Sequence, residues 1–152
     1  MRFAATLCVF AALLLAPLGA LAAPGDALTI PVNVVIQPEE LVAMLKAPGP
    51  PTILQVGFST LYQQAHIPGA QYAGPGNSDD GIANLKKHIA ALPRDKPVVI
   101  YCGCCPWEKC PNIAAAYQQM TAMGFSKLKV LYLADSFGAN WVDKGYPVAR
   151  GG

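Results

Sequence analysis

Short apolar runs alternate along this chain with stretches in which apolar side chains recur at three- and four-residue spacing, and the two patterns predict strands and helices respectively. Residues 32–36 form a β-branched run that predicts the first strand. Pro38-Glu39-Glu40 then opens a helix: proline suits the first helical position, the acids suit the positive end of the dipole, and Leu41, Val42 and Leu45 share one face. Pro48-Gly49-Pro50-Pro51 stops that helix, and 52–56 is continuous enough in apolar residues to predict a buried parallel strand. After Gly57 come a short helical turn over 60–64, a loop at Gly74-Pro75-Gly76-Asn77-Ser78, and a helix over 79–92 with Ile82, Leu85 and Ile89 at helical spacing. A strand at 98–102, a helix at 113–123 capped by Gly124, a strand at 128–133 and a last helix at 136–144 complete the order. Strands alternating with helices predict an α/β fold with a parallel sheet and right-handed crossovers.

The first residues break this alternation. Arg2 precedes an uncharged apolar run over 3–18, and Ala20-Leu21-Ala22 offers a small-x-small cleavage pattern, so 1–22 reads as a secretory signal peptide cut after Ala22. The run falls short of the roughly 18–20 residues of a membrane anchor. Cys8 lies inside it and is expected to leave with it. Residues 23–31 form a flexible lead and 32–150 one domain, expected to be exported (periplasmic or secreted), monomeric and free of the membrane once the signal is removed. The formal charge is +2 and the lysines are scattered, which excludes a nucleic-acid-binding stripe.

Between Tyr101 and Asn112 the chain reads Tyr-Cys-Gly-Cys-Cys-Pro-Trp-Glu-Lys-Cys-Pro-Asn, placing Cys102, Cys104, Cys105 and Cys110 in one loop from a strand's C-terminal end to a helix N-terminus. Ligands bind at such loops in open α/β sheets, and the helix-start N–H groups favour an anion or the thiolate of a cysteine pointing into the loop. A disulfide framework ties distant segments together, so this crowding argues for a chemical site.

His66-Ile67-Pro68-Gly69-Ala70, then Val98-Val99-Ile100-Tyr101-Cys102, then Met123-Gly124-Phe125, and Trp141 followed by Lys144-Gly145-Tyr146-Pro147-Val148, resemble in order and spacing the landmarks of a rhodanese-like domain. The resemblance implies a rhodanese-like fold, a central parallel five-stranded sheet flanked by helices. It also implies that Cys102 accepts a sulfane sulfur as a persulfide and passes it to a thiol or cyanide, making the chain a sulfurtransferase or persulfide carrier. The implied partners are a small sulfur-containing substrate or a thiol-bearing protein acceptor, and no cofactor is required. Gly103, Trp107, Lys109 and Asn112 line the implied anion and substrate loop. That loop is longer here than in the family and no arginine follows Cys102 until Arg150, so thiosulfate transfer is expected to be weak.

The extra cysteines open two other chemistries. Cys105 or Cys110 can resolve a persulfide or sulfenate on Cys102 as a thiol-disulfide relay. Alternatively Cys102, Cys104, Cys105 and Cys110 can bind a soft metal, copper or zinc. A third alternative is a disulfide from Cys104 or Cys105 to Cys110 that pins the loop, and a non-catalytic binding module also stays open. His66 reads as a turn-ordering residue, since no serine or carboxylate close in sequence suggests a triad.

Overall fold

The computed structural model describes residues 30–152. The expected signal peptide, its expected cleavage point and nearly all of the expected lead therefore lie outside the described residues. In chain order the elements are β1 (Val35–Ile36), α1 (Pro38–Lys46), β2 (Thr52–Gln55), α2 (Ser59–Gln64), β3 (Gln71–Tyr72), α3 (Asp79–Ile89), β4 (Val98–Tyr101), α4 (Pro111–Ala122) and β5 (Leu128–Leu131). The strands form one five-stranded parallel sheet in the order β1-β5-β4-β2-β3.

β4 is central. All of its residues are buried, and it pairs with β2 on one side and β5 on the other. Side chains alternate across a strand. Val98, Ile100 and Cys102 therefore join Leu54, Leu85, Ile89, Ile113, Ala116 and Met120 in the layer of α3 and α4. Val99 and Tyr101 face the opposite layer with Ile36, Leu41, Ile53, Ile67, Phe137 and Trp141. Helix starts follow their sequence signals: Pro38 and Pro111 occupy first-turn positions, and the Ser78 hydroxyl accepts the Gly81 N–H at 3.1 Å.

Several boundaries differ from expectation. Val32–Val34 forms a 3₁₀ turn, its Val34 N–H closing on the Pro31 carbonyl, and only Val35–Ile36 finds β5 as a partner. The edge strand β3 is too short to carry an alternating pattern and depends on its pairing with Leu54 and Gln55. The last helix shrinks to a π-helical turn over Gly138–Val142, closed by Asp143 N–H on the Gly138 carbonyl at 2.9 Å. Among the described residues no helix is long and apolar enough to cross a membrane.

Candidate functional site

The alternation along β4 delivers Cys102 at the strand's C-terminal end, in the same layer as the start of α4. Gly103 then turns the chain with φ +73°, a conformation that favours glycine. A Cβ there would come within 2.5 Å of the Phe137 Cβ, and the Phe137 N–H donates to the Gly103 carbonyl at 3.0 Å. Further along, the Trp107 N–H donates to the Ala134 carbonyl at 3.0 Å and the indole packs on Tyr132 with ring centres 5.1 Å apart. A 3₁₀ turn over Trp107–Lys109 leads to Cys110, the cap residue of α4, so the far end of the loop lies against its beginning.

The four sulfurs of Cys102, Cys104, Cys105 and Cys110 all lie within 4.8 Å of one another, and all are free thiols. Cys102 Sγ is 3.0 Å from Cys104 Sγ, which is 3.2 Å from Cys105 Sγ. Cys102 and Cys110 are buried, Cys104 and Cys105 half-buried. A void of about 10 Å³, roughly one small atom's worth of space, is lined by Cys102, Cys105, Cys110, Trp107, Ile113 and Leu131.

Asn112 organises the centre. Its Nδ2 donates toward Cys102 Sγ at 3.5 Å and Cys104 Sγ at 3.4 Å. Its Oδ1 accepts the Asn77 N–H at 3.1 Å, which fixes which end of the amide faces the sulfurs. Nearby, Gly76 crosses α4 so closely that a Cβ would lie 2.2 Å from the Asn112 carbonyl oxygen.

The thiols differ in acidity. Cys102 is pushed far up, first because its sulfhydryl hydrogen bonds to Cys110 and then by burial. Cys105 is raised chiefly by burial. Cys110 is lowered to about 6, first by the hydrogen bond from Cys102, with the backbone N–H groups of Ile113 and Asn112 adding to it against the cost of burial. Sequence alone suggested that the helix start would favour a thiolate at a cysteine pointing into the loop, with Cys102 in view. Because Cys110 is the cap residue, the amides of α4 fall on its own sulfur. Cys102, arriving from the strand, receives one backbone N–H, from Cys104.

Of the other expected loop residues, Trp107 is half-buried and lines the void, while Lys109 is exposed and has no hydrogen bond to the sulfurs among the described residues. Gly103 serves the turn against Phe137. His66 is tied into the fold, stacked on Tyr62 and bonded through its backbone to Ala149 in both directions. Sequence reasoning missed Asn77, whose contribution is a backbone N–H that no residue type announces. It also gave no role to Gln55 and Gly57. Gln55 is buried with its Nε2 donating to the Cys102 carbonyl at 3.4 Å and its Oε1 without a partner, and a Cβ on Gly57 would sit 3.1 Å from Cys102 Sγ.

Solved structures with the same fold include the Alr3790 protein of Anabaena sp. (TM-score 0.59, 21% identity, covering 76% of this chain and 92% of that one). The BH2092 protein of Bacillus halodurans is similar (TM-score 0.58, 21% identity, 76% and 75% covered). So is part of EanB in its complex with hercynine (TM-score 0.55, 19% identity, 77% of this chain and 27% of that one). No curated protein matches this chain. The family model for the rhodanese-like domain matches residues 37–141, from just before α1 to Trp141, and so spans β2 to β5 and the cysteine loop. The chain belongs to the rhodanese-like domain family.

Proposed function

We propose that the domain is a sulfurtransferase or persulfide carrier in which Cys102 accepts sulfane sulfur and a neighbouring thiol of the loop, Cys110 foremost, discharges it. The observation that supports this most is Cys102 Sγ at the end of the central strand, beside a one-atom void and within 4.8 Å of three further thiols. As Cys102 attacks the outer sulfur of a donor R–S–SH the donor's S–S bond breaks, and the Cys102 proton passes through the Cys110 thiolate, its sulfur within 4.8 Å, to the departing R–S⁻, which leaves as R–SH and returns Cys110 to the thiolate. The product Cys102–S–SH passes its outer sulfur to a thiol acceptor. Where no acceptor is present, Cys110 attacks the inner sulfur of Cys102, forming a disulfide and releasing sulfide: two thiols are oxidised and the sulfane sulfur is reduced. An external dithiol then restores both cysteines.

The donor class follows from charge. No arginine lies in the loop and Lys109 is exposed with no hydrogen bond to the sulfurs among the described residues, so a persulfide or polysulfide suits the site better than dianionic thiosulfate. Export, with the periplasm or exterior as the working compartment, belongs to the same proposal and rests on residues 1–22. To test it, reduced protein is mixed with glutathione persulfide and a dithiol, and sulfide is followed. Multiple turnovers, at least 100-fold faster than with thiosulfate and abolished in Cys102→Ser, are expected. Unchanged turnover in Cys102→Ser would remove the reading.

A further inference from the structure

We propose that Cys102, Cys104, Cys105 and Cys110 also form a mononuclear, four-sulfur site for zinc. A zinc ion bonded to four thiolates at about 2.3 Å requires sulfurs about 3.8 Å apart. The four sulfurs here span separations from 3.0 Å up to no more than 4.8 Å. Each therefore needs to move by roughly one ångström or less to reach a common centre. Clusters holding several irons space their ligands more widely than this, so the size of the sulfur set selects a single ion.

The donor set and its surroundings point the same way. An all-thiolate site with neither carboxylate nor imidazole suits a soft or borderline metal, and four sulfurs suit tetrahedral zinc where copper(I) is satisfied by two or three. Three of the four sulfurs already receive N–H groups: Asn112 Nδ2 reaches Cys102 and Cys104, the Cys104 amide reaches Cys102, and the amides of Asn112 and Ile113 reach Cys110. Neutral thiols gain little from such donors, whereas four thiolates around a divalent ion carry a net charge of −2 that N–H groups and a helix N-terminus offset. Asn77 holds Asn112 in the donating orientation, a support that goes beyond the ligands themselves. The alternative of a permanent disulfide finds no pair at bonding distance.

Zinc and sulfane sulfur would compete for Cys102, so the centre has two exclusive states. The test is an anaerobic titration of the reduced, metal-free chain with cobalt(II), followed by zinc. One equivalent of cobalt is expected, with intense sulfur-to-cobalt charge-transfer absorption and tetrahedral d–d bands, all erased by one equivalent of zinc. Asn112→Ala should keep the band shapes but bind cobalt 10- to 100-fold more weakly. Cys104→Ser should move the charge-transfer bands toward those of a three-sulfur site. Absence of charge-transfer bands in wild-type protein whose four thiols titrate as free would overturn the proposal, as would tight binding confined to copper(I) on fewer than four sulfurs. Because sulfur uptake is measured on metal-free protein, failure of this site leaves the sulfur-transfer reading standing, and the converse also holds.

Discussion

Tyr101 and Cys102 are neighbours on the central strand yet face opposite layers, and their polar atoms are treated in opposite ways. The Tyr101 hydroxyl accepts the Ile67 N–H at 3.2 Å, and its ring packs against Phe137. Burial pushes its phenol up, and the group stays neutral with a backbone partner. Cys102 has mainly other thiols for partners, and among these Cys110 is driven toward the thiolate while Cys102 and Cys105 are driven away from it. A buried polar group matched to the backbone fixes structure. Several identical ionisable groups packed together leave protons, sulfur or metal to be shared, and that is a basis for chemistry.

The sharpest way to break the contrast is to damage the Tyr101 layer alone. Trp141 is fully buried and its Nε1–H donates to the Pro147 carbonyl at 2.8 Å, so Trp141→Ala should cost about 3–5 kcal/mol in denaturant unfolding. Any protein that remains folded should keep its sulfide-releasing turnover. Gly103→Ala strikes the junction of the two layers: the positive φ and the close approach to Phe137 predict a loss of about 1–3 kcal/mol together with reduced turnover, because the loop that carries Cys104 and Cys105 must shift. Tyr101→Phe, which strands the Ile67 N–H, should cost about 1–3 kcal/mol and leave turnover unchanged. Equal loss of activity in Trp141→Ala and Gly103→Ala, at matched folded fraction, would mean that the two layers are not separable.

The smallest effect is one of pH. Cys110 is more acidic folded, at about 6, than an ordinary thiol, so the stability it contributes is fully present above the unfolded thiol value and is lost as pH falls through about 6. Cys102 and Cys105 are shifted upward and subtract stability only at pH above the ordinary thiol range. Unfolding of reduced, metal-free protein should therefore show stability rising between about pH 6 and 9, a slope that Cys110→Ser removes. An unchanged slope in that variant would assign the acidic thiol elsewhere.

Much of this was legible in the sequence. The central strand is an unbroken apolar run, α1 and α4 open on prolines, and four cysteines crowd one loop, so the sheet class and the location of the centre follow from residue types and spacing. What was not legible depends on partners far along the chain. β3 exists because β2 offers it an edge, and Val32–Val34 fails as strand because it has none. Asn112 was placed in the loop, but its orientation is set by the Asn77 backbone. Which cysteine receives the helix amides turns on a one-residue choice of cap, finer than any periodicity resolves.

The central claim, that Cys102 is the sulfur acceptor and Cys110 its resolving thiol, is tested most directly by mapping the added sulfur in Cys110→Ser. Anaerobic, metal-free Cys110→Ser is treated with one equivalent of glutathione persulfide, alkylated, digested and analysed by mass spectrometry. The prediction is one extra sulfur atom on Cys102, persisting where wild-type protein has already released sulfide. A sulfur found on Cys104 or Cys105 with Cys102 unmodified, or sulfide released as fast as by wild type, would contradict it.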